Sequence, residues 1–370
     1  MKTLTKKLTS FQISYPLDNI VPLSKALFLD IETTGFTARS SSLYLIGCAY
    51  YRDNNWYITQ WFAENSNEEP LVLTAFFEFA NSFTHLLHFN GNNFDLPYIQ
   101  QKCDFHGLFY NFNSFQGIDL YKRIAPYKAF LRLENCKQKT IEQFLGLQRE
   151  DRFNGGELIS IYHDYVKAPD ENTLNFLLLH NFEDMAGMLN ILPILAFYDL
   201  FNNPVTVRKV QANYYTGTEG ASAIPHQEIL MKLSLVSPLP KPVSYMHKNC
   251  YFSGQNTVGN LRVPMYDAEL KYFYSNYKDY YYLPDEDVAL HKSVAGFVDR
   301  SHRIQATAAN CYTRKRSNYL PQWDAIVEPF FREDYKNPNL YFEVTEELKT
   351  DRALFARYAE HILQMMVSGK

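Results

Sequence analysis

The sequence predicts an α/β domain followed by a smaller α+β domain, on the basis of two observations. Apolar segments at 26–31, 43–51, 55–62 and 86–90 fit strands, and helical segments are predicted near 70–82 and from about 95, 140, 157 and 173 onward. The pattern of apolar and polar residues then changes after Asn203-Pro204. We therefore expect a first domain over residues 20–203 and a second domain over residues 204–370.

The second domain is predicted to mix helix and strand. Residues 208–235 are predicted to be helical, with an interruption at Pro225, and three prolines within 238–242 predict a break. The chain then alternates as strands do, through 261–266 to 271–274. This pattern is typical of a small α+β domain.

Two carboxylates at the end of the first strand need a chemical explanation. Asp30 and Glu32 are two positions apart, so alternation places both on one face of the sheet. Neighbouring anions repel each other and raise each other's pKa unless a cation neutralises them, and hard divalent ions are the obvious cation. A solvated strand end is the alternative for this pair taken alone.

Two later segments favour a metal site. The second apolar strand breaks at Asn90-Gly91 and brings Asp95 to a strand-to-helix turn. In the apolar helix over 174–195, His180 and Asp184 are four residues apart and share a face. The sequence thus supplies four carboxylates and one titratable neighbour.

Composition and charge limit the class of protein. The 370 residues are 46% hydrophobic, enough to bury sizeable cores, and the net charge of −4 argues against tight non-specific binding to polyanions. The first twenty residues lack the apolar core of a secretion signal, and no stretch approaches about 18 uninterrupted apolar residues, so we expect a cytoplasmic protein with no membrane partner. The five cysteines have no metal-binding spacing and are expected to be reduced core residues.

Three motifs give the chain a resemblance to a known superfamily. Asp30-x-Glu32, Asn90-x-x-x-Phe94-Asp95 and His180-x-x-x-Asp184 resemble, in the same order, the exonuclease motifs of the DEDD (DnaQ-like) superfamily. The residues of these motifs are most similar to those of the predicted bacterial exonucleases called YprB-like. The resemblance covers roughly residues 20–200. It implies a ribonuclease-H-like mixed sheet flanked by helices, and removal of nucleotides from 3′ ends with two metal ions.

The resemblance also implies roles for these residues. Two divalent ions, Mg²⁺ or Mn²⁺, would be bound by four carboxylates, those of Asp30, Glu32, Asp95 and Asp184. Such ions prefer oxygen ligands and leave coordination positions for a substrate phosphate. Two of them about 4 Å apart can activate a water molecule and neutralise a leaving oxygen. His180 is the candidate base for that water.

His180 departs from the usual pattern of the superfamily. The third motif usually has a tyrosine separated from its aspartate by three residues, or a histidine separated by four, and His180 stands at the tyrosine spacing. The alternative role for His180 is to hydrogen-bond a metal ligand or the backbone. Asp119, which follows the second motif, is expected to support the fold and not to bind metal.

Aromatic and basic residues outside the acidic set are candidates for contacts with nucleic acid. In the first domain these are Asn90, Phe94, Lys137 and Lys139, although such lysines are more often simply solvated. In the second domain, tyrosines over 271–284 are interleaved with cations, a combination that suits single strands. The candidate contacts there are Lys271, Arg314 and Arg316. Inward packing of the tyrosines is the alternative, and we prefer it for most of them.

The complete acidic set favours an enzyme. We expect a metal-dependent 3′–5′ exonuclease that hydrolyses phosphodiester bonds of DNA or RNA at a single-stranded 3′ end, with a second domain that aids substrate or partner binding. The alternatives are a nucleic-acid-binding scaffold with the same fold and little turnover, and a structure-selective endonuclease, because fold alone does not separate these activities. The sequence does not identify a protein partner.

Overall fold

A computed structural model describes residues 1–150, 155–219 and 222–368, which divide into two units. The first unit contains Met1–Asp199 together with Ser237–Lys241, and the second contains Leu200–Val236 and Pro242–Lys370. Each unit has its own sheets and its own hydrophobic clusters.

The first unit is built on a six-stranded mixed sheet in the order β1-β4-β3-β2-β5-β6. The strands are β1 (Lys2–Leu8), β2 (Ala26–Thr33), β3 (Leu43–Arg52), β4 (Asn55–Phe62), β5 (His85–His88) and β6 (Gln116–Asp119). The pairs from β1 to β2 are antiparallel, whereas β2, β5 and β6 are parallel. β1 lies in the first twenty residues, which the predicted domain left out.

Helices cover both faces of this sheet. They are α1 (Glu69–Ala80), α2 (Asp95–Phe105), α3 (Leu120–Ile124), α4 (Lys128–Leu131), α5 (Gln138–Leu145), α6 (Gly155–Lys167), α7 (Glu171–Asn190) and α8 (Leu195–Asn202). One cluster joins α1 and α2 to the sheet through residues such as Phe76 and Ile99. A second cluster joins α6 and α7 to Tyr44 and Phe62. The predicted class, a mixed sheet flanked by helices, is confirmed.

The apolar character of α7 follows from its burial. Asp170 caps the helix by accepting a hydrogen bond from the Thr173 N–H at 3.0 Å. The segment Glu171–Asn202 is long and apolar enough to cross a bilayer, yet 72% of its most apolar window is buried inside the protein. A helix that packs against a central sheet has this composition without contacting lipid.

The second unit contains two further sheets. The larger, in the order β14-β15-β13-β9-β8-β7, consists of β7 (Thr206–Glu219), β8 (Ser222–His247), β9 (Cys250–Phe273), β13 (Tyr312–Gln322), β14 (Phe330–Phe331) and β15 (Leu340–Glu343). The smaller consists of β10 (Tyr280–Leu283), β11 (Val288–His291) and β12 (Ile304–Gln305). The helices are α9 (Lys292–Ala295) and α10 (Arg352–Ser368), whose Tyr358 hydroxyl donates to the Pro321 carbonyl at 2.7 Å.

The predicted helix over 208–235 is wrong, because the described residues of this segment lie in β7 and the first half of β8. The buried residues Ile229, Met231, Leu233 and Leu235 recur every second position, which is the period of a strand. The break predicted at 238–242 is also wrong, since β8 continues to His247. Pairing with β7 ends at Ser234, so these prolines lie beyond the part of β8 that needs N–H donors on that side.

Candidate active site

A row of paired residues crosses three strands of the first sheet, with polar side chains at its two ends and a glycine between them. Asp30 of β2 pairs in register with Gly47 of β3, which pairs with Gln60 of β4. A Cβ atom built on Gly47 would lie 2.1 Å from Asn181 Oδ1, so α7 approaches the sheet at a place where only glycine leaves room. The glycine therefore sets the depth at which α7 packs.

Asn181, on the helix α7 that packs over Gly47, orients Asp30. Its fully buried amide donates from Nδ2 to Asp30 Oδ2 at 2.8 Å. Gln60 Nε2 in turn donates to Asn181 Oδ1 and to the Leu178 carbonyl, both at 2.9 Å. Sequence reasoning missed both amides, although Gln60 interrupts an apolar strand and Asn181 follows His180 directly.

Glu32, His180 and Asp184 form a compact group of side chains. His180 Nε2 lies 3.3 Å from Asp184 Oδ2 and 3.8 Å from Glu32 Oε1. Each of the three offers one potential ligand atom, and these atoms lie within 4.8 Å of one another. The four-residue spacing of His180 and Asp184 on α7 brings them together as expected.

Asp95 reaches the site through a constrained turn after β5. Asn90 has a left-handed φ of 62°, and its N–H donates to Asp119 Oδ1 at 2.9 Å. A Cβ on Gly91 would lie 2.8 Å from His88, so the turn also needs glycine there. Asp95 begins α2 and is 8% exposed. Asp119 thus holds the turn, in agreement with its expected role in the fold.

The charged forms of the carboxylates in this site are destabilised by burial and by one another. Burial raises the pKa of Asp30 well above its ordinary value, and the nearby Asp184, Glu32 and Asp95 raise it further against the donation from Asn181. Burial likewise raises the pKa of Asp95 to about 7, although the backbone N–H groups of Asp95 and Ile31 partly offset the shift. A hard divalent cation prefers oxygen ligands and would neutralise the repulsion among these carboxylates.

Arg149, which sequence reasoning also missed, lies beside Asp184. Its Nη1 donates to Asp184 Oδ1 at 2.5 Å, and its Nε and Nη2 donate to the two oxygens of Glu142. Glu142 is 3% exposed. No motif in the sequence marks Arg149, because α5 and the residues after it meet α7 only in the folded chain.

An aromatic pair, one ring exposed and one half-buried, is joined to the turn that carries Asp95. Phe36, in the loop after β2, is 89% exposed and packs edge-on against Phe94 with ring centroids 6.2 Å apart. Phe94 precedes Asp95 and also contacts Tyr98, whose hydroxyl is 2.7 Å from Ser41 Oγ. Ser41 donates to the Gly35 carbonyl at 3.1 Å, which fixes the loop that carries Phe36.

Lys137 and Lys139 are exposed at the start of α5, where Lys139 lines a cavity of about 550 Å³ together with Arg149. Asn90 uses its side-chain oxygen within the turn, since it accepts from Asn93 Nδ2 at 2.6 Å. The turn between β5 and α2 therefore places Asn90 and Phe94 near Asp95, whereas Lys139 is carried by α5.

The candidate contacts of the second unit are largely neutralised. Arg314 lies 3.4 Å from Asp287 and 3.6 Å from Glu269, Arg316 lies 3.2 Å from Asp267, and Lys271 stacks over the Tyr312 ring. Four neighbouring tyrosines pack against a small buried cluster, as the preferred alternative predicted; they are Tyr274, Tyr277, Tyr280 and Tyr282. This face offers less positive charge to a phosphate backbone than its sequence indicates.

Comparison with known proteins agrees with this architecture. Residues 27–196, which include the four site carboxylates, match the family model RNase_H_2, described as RNase_H superfamily. The first unit has a ribonuclease-H-like fold. No curated protein sequence matches the chain significantly.

Similar solved structures include a polymerase and exonucleases. The family B DNA polymerase from the archaeon Pyrobaculum calidifontis is 15% identical over 48% of this chain and 26% of its own, with a TM-score of 0.40. The zinc-bound E. coli ExoI–ssDNA complex is 13% identical over 58% of this chain and 55% of its own, with a TM-score of 0.28. A product-bound structure of exonuclease I is 12% identical over 94% and 72%, with a TM-score of 0.29. The chain thus spans about a quarter of the polymerase and about half of that ExoI chain.

Replacing Gly47 by alanine tests the polar row. The new Cβ would force Asn181 to move, so Asp30 would lose the donor that orients it. We expect Gly47→Ala to weaken Mn²⁺ binding by about 10-fold to 100-fold in isothermal titration calorimetry, the usual effect of disturbing a residue that orients a metal ligand.

The double variant Gly47→Ala/Asn181→Ala is the control for this test. Removal of the Asn181 side chain makes room for the new methyl group, so the double variant should regain part of the lost melting temperature without regaining Mn²⁺ affinity. Wild-type Mn²⁺ affinity in Gly47→Ala would show that the row does not orient Asp30.

The raised pKa of Asp95 predicts a pH dependence of stability in chelator-treated protein. Because the folded pKa of about 7 exceeds the ordinary value of 3.8, the contribution of this carboxyl is fully present below pH 3.8 and is lost as pH rises through 7. Urea unfolding from pH 5 to pH 8 should show falling stability, with up to about 1.4 kcal/mol per pH unit from this one proton. Asp95→Asn should flatten the curve and unfold later than the wild type at pH 8; parallel curves would contradict the assignment.

Proposed function

We propose that this protein is a metal-dependent 3′–5′ exonuclease acting on single-stranded ends of DNA or RNA, within the YprB-like group that its three motifs resemble. One observation carries the proposal. Glu32, His180 and Asp184 bring potential ligand atoms within 4.8 Å of one another, and burial with neighbouring charge raises the pKa of Asp30 and Asp95 in the same site. A solvated strand end would not build such a cluster.

The acidic residues would hold two divalent ions, Mg²⁺ or Mn²⁺. The four ligands are Asp30, Glu32, Asp95 and Asp184. Ions bound by such ligands promote attack by water on a phosphodiester and offset charge on the leaving oxygen. The chain's own part is to fix the ligands, and Asn181 does so for Asp30.

His180 is the residue that accepts the proton in this proposal. Its Nε2 lies between the carboxylates of Glu32 and Asp184, which would stabilise the imidazolium formed when the attacking water loses a proton. Because its side chain is 6% exposed, bulk water does not compete strongly for that position.

Phe36 and Phe94 support a single-stranded end as the substrate. An exposed ring such as Phe36, supported by the half-buried Phe94, can stack on a base, and stacking is worth about 1–3 kcal/mol per base. A paired terminus would have to unstack before its last base could contact Phe36. The low positive charge of the second unit's tyrosine-rich face leaves this pair as the best-supported base contact.

Removal of one carboxylate tests the reaction. Asp30→Asn and Asp95→Asn should each abolish Mn²⁺-dependent shortening of labelled oligonucleotides, while fluorescence anisotropy shows equal or tighter binding because an anion has been removed. The matched control is Asp104→Asn, which makes the same charge change at an exposed position of α2 and should leave turnover intact.

Oligonucleotides blocked at either end distinguish the alternatives. Product ladders that stop only with a 3′ block support the proposed polarity, internal products would indicate an endonuclease, and binding without products would indicate a scaffold. Full activity in the Asp30→Asn/Asp95→Asn double variant would refute the site.

A histidine substitution tests the proposed proton acceptor. His180→Ala should lower kcat by about 10²-fold to 10⁴-fold with Mn²⁺ affinity nearly unchanged. His163→Ala, an exposed histidine of α6, serves as the control. If raising the Mn²⁺ concentration restores most of the rate, His180 positions a ligand and does not accept the proton.

A further inference from the structure

Arg149 places a positive charge at the edge of the acidic cluster. Its guanidinium donates from Nη1 to Asp184 Oδ1 at 2.5 Å, while His180 faces the other oxygen of Asp184. The Arg149 side chain is 11% exposed. In this structure, therefore, one oxygen of a candidate metal ligand is already engaged by a cation of the protein itself.

Glu142 anchors the guanidinium independently of Asp184. Arg149 donates to Glu142 through both Nε and Nη2, a two-point contact that fixes the plane of the group. Glu142 is in turn held by Gln138, whose Nε2 donates to Glu142 Oε1 at 3.0 Å and to the Asp184 carbonyl at 2.8 Å. The guanidinium would thus remain in place if Asp184 turned toward another cation.

Glycine at 187 makes this anchor possible. A Cβ at that position would lie 2.2 Å from Glu142 Oε1, so α7 admits the carboxylate only because Gly187 has no side chain. The glycine stands three residues after Asp184, on the next turn of the same helix. The Glu142–Arg149 pair therefore packs directly against α7, the helix that carries the candidate ligand.

A substrate phosphate is the natural second acceptor for Arg149. If a divalent ion takes Asp184, the Nη1 donor needs another anion, and the guanidinium fork suits phosphate oxygens. The cavity of about 550 Å³ that Arg149 lines has Lys139 on its wall and room for a phosphate. Both basic residues come from α5 and the segment that follows it.

We propose that Arg149 is an exchangeable counter-ion, which holds Asp184 when metal is absent and transfers to a phosphate oxygen of bound nucleic acid when a divalent ion takes Asp184. This rests on the proposed function of the site. Two consequences follow. Arg149 lowers the metal affinity of the protein alone, and phosphate and metal bind with positive coupling.

The test measures Mn²⁺ binding by calorimetry with and without thymidine 5′-monophosphate, which has a phosphate but no phosphodiester to hydrolyse. In the wild type, the nucleotide should tighten Mn²⁺ binding at least about 5-fold. The Glu142→Gln/Arg149→Gln double variant removes both charges, so that Glu142 is not left behind as an unpaired buried carboxylate. It should bind Mn²⁺ about 5-fold to 10-fold more tightly than the wild type without nucleotide, and the nucleotide should add little.

Two further variants make the test specific. Gln148→Ala changes another exposed residue that lines the same cavity, so its nucleotide-free Mn²⁺ affinity should equal that of the wild type. Arg149→Lys keeps the charge but cannot make the two-point contact, and it should lose most of the coupling. Unchanged Mn²⁺ affinity and full coupling in the double variant would overturn the proposal and leave Arg149 as a structural partner of Glu142.

Failure of the exonuclease proposal would be seen separately. If the wild type binds no Mn²⁺, the metal site and the Arg149 exchange are both refuted. If it binds Mn²⁺ with nucleotide coupling but does not shorten oligonucleotides, the exchange stands and the exonuclease assignment fails.

Discussion

The repulsion among four carboxylates brought into one poorly hydrated space is the constraint on which the first unit depends. For Asp30 and Asp95, burial and neighbouring charge outweigh every hydrogen bond they accept, because the pKa of each is raised and not lowered. The charged forms of these carboxyls are therefore destabilised in the folded chain. In the proposed function, a cation bound by them would recover that free energy.

The sheet topology explains why these residues meet. β2 is central, with an antiparallel neighbour on one side and the parallel β5 on the other, so the ends of β2 and β5 lie at the same edge of the sheet. The turn after β5 then carries Asp95 close enough to accept the Ile31 N–H between the two carboxylates of β2. α7 supplies the remaining groups, and Gly47 and Gly187 allow it to approach the sheet and Glu142 closely.

Local patterns in the sequence predicted the parts of this arrangement that one segment encodes. The strand ending in Asp30 and Glu32, the turn before Asp95 and the helical spacing of His180 and Asp184 each lie within a few residues. Gln60 and Arg149 could not be found that way, because the site residues they contact, Asn181 and Asp184, are more than thirty residues distant along the chain. The error at 208–235 has a different cause, because the two-residue alternation around Met231 is a local pattern that predicts a strand.

Charge compensation also decides where affinity for a polyanion can arise. In the second unit, acidic neighbours already occupy Arg314 and Arg316, and the chain as a whole has a net charge of −4. Long-range attraction of nucleic acid is therefore weak, and two divalent ions at the acidic site would offset a charge of that size. In the proposed function, binding would then depend on contacts close to the site, which are the rings of Phe36 and Phe94 and the guanidinium of Arg149. Because the ion and the phosphate would each release a group that the other needs, substrate capture and metal loading become one linked equilibrium.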